Sequence, residues 1–212
     1  METFVRKQAS KIAASLHYSS EQEAVMAYGL LALAQTGVTL VLVLGLGWLL
    51  HVPLEALTVC LTGSILRKYS GGAHAATMEG CTAFSVLFCT GAALLASWLA
   101  TFYDPAGMLA AVLSVYVFAT LLIRRYAPMA SVHKPIRPPK MKRMRKGSYI
   151  TLIAYGLVSA CFYFFGFTMI PLRSLGISLL IGLSWQVFTI TPLGAALLQK
   201  QDDQPKSNRK EI

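Results

Sequence analysis

The chain has 212 residues, 55% of them hydrophobic, and a mean hydropathy of +0.57. Only 13% are charged, about half the usual share in a soluble domain, which excludes an ordinary soluble enzyme. The remaining charge is lopsided, 19 Lys+Arg against 9 Asp+Glu, a balance that suits nucleic acid or an anionic membrane surface.

Residues 1–25 come first. Phe4, Val5, Ile12 and Leu16, set against Arg6, Lys7 and Lys11, predict an amphipathic helix lying in the membrane interface. No short apolar core with a small-residue cleavage site follows, so this is not a signal peptide of the usual kind. Long uncharged runs succeed it: 31 residues between Glu23 and Glu55, 24 between Glu79 and Asp104, and 19 between Asp104 and Arg124. Two of 26 follow, between Lys146 and Arg173 and between Arg173 and Lys200. A helix needs about 20 apolar residues to cross a bilayer, and in lipid only helices or closed barrels satisfy every backbone group. Period-2 alternation is absent, so helices are expected at Tyr28–Leu50, Gly80–Phe102, Ala106–Ile123, Ser148–Phe167 and Ser174–Leu198. A sixth segment, Val52–Leu66, carries Glu55 and is short. It reads as a tilted span continued by Arg67–Ser70, or as a re-entrant hairpin.

The expected fold class is therefore an all-α integral membrane protein with about six transmembrane helices and an interfacial N-terminal helix. Residues 1–199 form one membrane-embedded domain, and 200–212 are a polar, disordered tail. With six spans both termini share a side, and that side collects eighteen of the nineteen bases, leaving only Arg173 opposite. This places both termini in the cytoplasm and removes the case for nucleic acid. Nine bases and no acid lie between Arg124 and Lys146, more than orientation requires. They suit anionic lipid headgroups, an acidic partner segment, or both. Pro135, Pro138 and Pro139 are expected to keep part of that stretch out of regular helix.

Cys60, Cys89 and Cys161 fall in apolar spans and read as small buried hydrophobes. No CxxC or HExxH occurs, so neither zinc nor any other cofactor is expected. His17, His51 and His133 receive no role. His74 and Cys81 differ because they lie in a polar, glycine-containing connection, from Arg67 through Ser70, Gly71, Gly72, Thr77 and Glu79 to the third span. A thiol beside a histidine can become a nucleophile, and polar groups entering a membrane segment are functional candidates. Spacing alone leaves a structural pair the commoner reading. Seven residues of straight helix would separate the two backbones by about 10.5 Å. His74 is therefore expected on a bent approach, which Gly71 and Gly72 make easy.

These residues resemble the accessory gene regulator B (AgrB) family of bacterial membrane endopeptidases. The resemblance rests on Arg67, then Gly71-Gly72-Ala73-His74-Ala75, then Cys81. Further matches are Tyr126-Ala127-Pro128 with Lys134-Pro135-Ile136, and, more weakly, Gln186 through Pro192-Leu193-Gly194. His133 departs from the family pattern. The resemblance implies that Cys81 and His74 are the catalytic nucleophile and base of a cysteine endopeptidase in the bacterial cell membrane, its active site on the cytoplasmic side. It further implies cleavage of an AgrD-like propeptide through an acyl-enzyme thioester, and cyclisation to a thiolactone or lactone signal for quorum sensing. Arg67, Gly71, Gly72, Lys134, Lys140, Lys142, Arg143, Arg145 and Lys146 are candidate substrate-binding residues, and the bases would also meet anionic lipid. Ser70, Thr77 and Glu79 are candidate oxyanion or orienting groups, no metal is implied, and a homodimer is the default assembly. The rival readings are a peptide permease exporting the signal and a non-catalytic lipid-binding scaffold.

Overall fold

A computed structural model describes residues 2–15, 18–72, 78–129 and 138–199. His17, His74, Thr77, His133, Lys134, Pro135 and the tail from residue 200 lie outside the described residues. Helices are the regular elements among those described: α1 Glu2–Ser15, α2 Ser20–Leu49, α3 Pro53–Ser70, α4 Met78–Ala100, α5 Pro105–Tyr126, α6 Pro138–Gly166, α7 Ile170–Thr189 and α8 Pro192–Gln199. Five of them, α2, α4, α5, α6 and α7, are long and apolar enough to cross a membrane. The chain divides into two compact units, residues 1–42 and 43–212.

In the first unit the break after α1 is followed by a reciprocal cap. The backbone N–H of Ser19 donates to Gln22 Oε1 at 2.9 Å, and the Gln22 N–H donates to Ser19 Oγ at 3.4 Å. Two of the four orphan donors at the start of α2 are satisfied in this way.

In the second unit, proline opens most of the helices. Pro53, Pro105, Pro138 and Pro192 are first residues, and Pro171 is the second of α7. A first-turn proline loses nothing, since its missing N–H would have had no partner there. The same rule corrects two expectations. Part of the basic stretch is out of helix, since α5 ends at Tyr126, and Ala127, Pro128 and Met129 are not helical, but Pro138 and Pro139 themselves start α6, so Lys140, Lys142, Arg143, Arg145 and Lys146 are helical. The last apolar run is not one helix either, because α7 ends at Thr189 and Pro192 begins α8.

Helix α7 is the centre of this unit, packing on α3, α4, α5, α6 and α8. Half of its apolar window is buried, against a third or less for α4, α5 and α6. Small residues permit that. A Cβ on Gly182 would lie 2.9 Å from the Val59 carbonyl oxygen, and one on Gly176 would lie 3.2 Å from Phe162 Cβ. Close backbone approach of this kind is how helices associate where lipid is as apolar as leucine.

Some of the polar groups inside the bundle are cross-links. Tyr155 Oη donates to the Thr62 carbonyl at 2.9 Å, joining α6 to α3, and Tyr116 Oη meets Ser159 Oγ at 2.9 Å, joining α5 to α6. Ser174 Oγ donates to Glu55 Oε1 at 2.7 Å, so the acid that interrupts the second apolar segment is bonded to α7. Charged punctuation also ends helices. Asp104 caps α5 by accepting from Gly107 N at 2.6 Å. Arg173 donates to the carbonyls of Gly166 and Phe167 at the end of α6 and lies over the Tyr103 ring, 4.6 Å from its centroid. Of the cysteines, Cys60 and Cys89 are buried and hydrogen-bonded to each other, whereas Cys161 is exposed on α6, contrary to expectation. An apolar helix has a lipid-facing side that sequence hydrophobicity does not distinguish from the packed one.

Replacing Gly182 by valine should force α3 from α7 and lower stability by about 1–3 kcal/mol. Gly63→Ala, where a Cβ meets nothing within 4 Å, should be neutral or stabilising. Apparent melting temperatures in detergent distinguish the two.

Candidate functional site

The site lies where α3 ends. Arg67 and Ser70 are in its last turn, and Gly71 stops it with φ 71° and ψ −156°, a region essentially open to glycine alone. Gly72 follows with φ 143°. These two residues turn the chain out of the helical path and form a short strap; the bent approach expected at His74 lies outside the described residues.

Three other elements hold this strap. Gly71 pairs with Met129, just beyond α5, as an isolated parallel bridge, and Met129 N donates to the Ser70 carbonyl at 2.9 Å. A side chain on Gly71 would collide with the Met129 carbonyl. The second anchor is Gln186 of α7, whose side chain is 2% exposed. Its Nε2 donates both to Ser70 Oγ, at 3.0 Å, and to the Gly71 carbonyl, at 2.8 Å. The Ser70 hydroxyl gives its own proton to the same Gly71 carbonyl at 3.1 Å. The third anchor is indirect, through α6. Arg145 Nε donates to the Ala127 carbonyl at 3.0 Å and so fixes the segment that pairs with the strap. Gly147 lies flush against the Tyr69 ring, leaving no room for a Cβ.

Under the strap sits an apolar floor of Leu66, Ala119, Ile123, Ala127, Leu152, Leu183, Val187 and Ile190. A Cβ on Gly72 would lie 3.0 Å from Thr189 Oγ1, 3.3 Å from Gln186 Nε2 and 3.7 Å from Arg67 Nε. Those four residues therefore enclose one small polar space. Cys81 is half-buried in the first turn of α4 and interacts electrostatically with Arg67. The Arg67 guanidinium is a cation throughout. Glu79 is exposed two residues earlier, where an acid suits a helix N-terminus.

Of the sequence candidates, Arg67, Ser70, Gly71, Gly72 and Cys81 come together here. Lys140, Lys142, Arg143 and Lys146 are exposed on the first turns of α6, while Arg145 uses its Nε within the fold. Gln186 carried no role in the sequence reading, although a lone amide in an uncharged apolar run is a signal of one. Thr189 and Met129 gave no such signal.

Several long apolar helices fit a multi-pass membrane protein. The chain belongs to the AgrB family: the accessory gene regulator B sequence pattern matches residues 5–190. It is 32% identical over 199 residues to an AgrB-like protein of Clostridium perfringens strain SM101, covering 91% of this chain and 92% of the relative. It is 35% identical over 109 residues to accessory gene regulator protein B of Staphylococcus intermedius, about half of each chain. An AgrB-like protein of Halalkalibacterium halodurans is 29% identical over 176 residues, 82% of this chain and 79% of the relative. No solved structure matches.

Gln186→Met keeps the side-chain length and removes both donors, leaving Ser70 Oγ and the Gly71 carbonyl without that partner. A loss of about 1–3 kcal/mol is expected, read as a lower melting temperature. Gly71→Ala should cost about as much from its backbone conformation alone.

Proposed function

We propose that this protein is a membrane-embedded cysteine endopeptidase that removes the C-terminal segment of an AgrD-like propeptide and closes the remainder into a thiolactone or lactone quorum-sensing signal. The observation that carries the reading is the polar strap at the end of α3, which Gln186 and Met129 hold in place, with the half-buried Cys81 thiol in the first turn of the next helix and within electrostatic reach of Arg67. By sequence His74 follows Gly72 by two residues and precedes Cys81 by seven.

His74 takes the Cys81 proton, and the sulfur attacks the carbonyl carbon of the scissile bond. Negative charge develops on the carbonyl oxygen in a half-buried place beside a fixed guanidinium, where such charge is best stabilised. The C–N bond breaks, His74 returns its proton to the leaving amine, and a thioester to Cys81 remains. An internal thiol or hydroxyl of the same peptide then attacks that acyl group, closing the ring and freeing Cys81. Thioester to thiolactone conserves the activated bond, so the step is near thermoneutral, whereas hydrolysis would discard it. High effective molarity within one bound peptide favours the internal attack, and a boundary site that excludes water disfavours the other. Making a thioester from an amide is uphill, so removal of the released segment draws the reaction forward.

In this reading α3 completes six crossings with α2, α4, α5, α6 and α7, and α1 lies in the interface. Both termini and the site face the cytoplasm, where positive-inside bias puts the bases. Exposed Lys140, Lys142, Arg143 and Lys146 attract the acidic end of the substrate and anionic headgroups alike. Ser70 is an orienting group, since its one proton goes to Gly71.

Cys81→Ser and His74→Ala should each reduce propeptide cleavage by about three orders of magnitude or more, while the protein remains folded and inserted. Cleavage retained in Cys81→Ser would remove the proposed nucleophile. Replacing Lys140, Lys142, Arg143 and Lys146 by glutamine should raise the apparent KM by roughly fivefold or more, at about 1 kcal/mol per base near a charged surface. It should also flatten the salt dependence of cleavage. An unchanged KM and salt slope would limit those bases to lipid.

A further inference from the structure

Four aromatic side chains on α4 and α7, two of them on the Cys81 face of α4, remain unexplained by that mechanism. On α4, Phe84 and Phe88 follow Cys81 by three and seven residues, which puts all three on one helical face. From α7, Trp185 and Phe188 meet them. The ring centroids of Phe88 and Trp185 are 4.4 Å apart, those of Phe84 and Trp185 5.6 Å, those of Phe84 and Phe88 6.1 Å, and those of Trp185 and Phe188 5.7 Å. The quartet is not sealed in the core: Phe84 is 37% exposed and the other three are half-buried. Trp185 is the neighbour of Gln186, so the residue that anchors the strap also sets the α7 half of this wall.

We propose that Phe84, Phe88, Trp185 and Phe188 form the subsite that receives an apolar side chain from the substrate residue whose carbonyl Cys81 attacks. The proposal rests on the endopeptidase reading. For attack, that carbonyl carbon must come within about 3–3.5 Å of the Cys81 sulfur. The side chain on the adjacent Cα then has two directions open to it. One leads back to Arg67 and the polar strap; the other leads along α4, where Phe84 begins about 4.5 Å further on. An apolar side chain is driven to the second by burial against ring faces. The polar, acidic segment that leaves is matched to the first by the charge of Arg67 and Lys68. The two surfaces flanking Cys81 thus fix which way the peptide runs across the nucleophile, with the acyl side on the aromatic wall.

Thiol labelling tests the subsite without any substrate. The full chain in phosphatidylglycerol–phosphatidylcholine vesicles is treated with N-methylmaleimide or N-benzylmaleimide, and each cysteine is followed by peptide mass spectrometry. Cys161, exposed on α6, reports the enrichment that lipid partitioning alone gives the benzyl reagent. The benzyl-to-methyl rate ratio at Cys81 should exceed that at Cys161 severalfold. Phe84→Ala and Trp185→Ala should bring the two ratios together, and Phe84→Leu, which keeps an apolar surface and guards against misfolding, should retain most of the difference. Equal ratios in the wild-type protein would overturn the subsite. With propeptide, changing the residue at the cleaved carbonyl from leucine to serine should lower kcat/KM by about tenfold or more, and by far less in Phe84→Ala. Undiminished discrimination in Phe84→Ala would also overturn it. Cleavage surviving in Cys81→Ser would instead sink the endopeptidase reading, and the labelling ratios would still report on the wall.

Discussion

The site depends on one primary amide. Gln186 sits in the helix that every other helix of the second unit packs against, and its Nε2 donates both protons to the last residue of α3 and the first residue beyond it. In a low-dielectric interior such bonds are strong and costly to leave unmade. The amide therefore has one favourable arrangement, in which the strap is held against α7. The position of Gly72 follows from it.

The same economy governs the rest of the molecule. A chain with so few charges uses them at helix ends and crossings. Asp104 caps α5, Arg173 caps α6, Glu55 is bonded to Ser174 of α7, and Arg145 reaches the Ala127 carbonyl. Three of these are also the punctuation that separates the apolar runs. Arg145 thus has a local partner within the fold, while Lys140, Lys142, Arg143 and Lys146 at the start of α6 are exposed. The proposed chemistry needs that distribution. A thioester survives long enough to be captured by an internal nucleophile only where water is scarce, and a partly buried cation within electrostatic reach of Cys81 serves the reaction better than a solvated one.

Much of this was legible in the sequence. Uncharged runs located α2, α4, α5, α6 and α7 to within a few residues at most ends, because the length needed to cross lipid and the cost of burying charge are both large. The glycines that the sequence reading singled out, Gly71 and Gly72, end α3 with backbone angles that other residues avoid, while the approach of His74 lies outside the described residues. Errors came where one residue type has two meanings. Proline breaks a helix from inside but starts one from its first turn, so Pro138 and Pro139 were misread, and Pro192 divided a run that composition joined. Cys161 is as apolar in context as Cys60 and Cys89, yet it faces outward.

By itself, then, the sequence determined that the chain is helical and multi-pass, which thiol lies in a polar connection, and which family it belongs to. Those are properties of composition, period and motif, and they are local. Only the tertiary structure decided that Gln186, Met129, Arg145 and Ser70 act on one strap, and that Phe84, Phe88, Trp185 and Phe188 line the helical face below Cys81. These contacts join residues as far apart as Ser70 and Gln186, 116 positions along the chain. Such pairs have no spacing rule, because the packing of α3, α4 and α6 on α7 sets the distance between them.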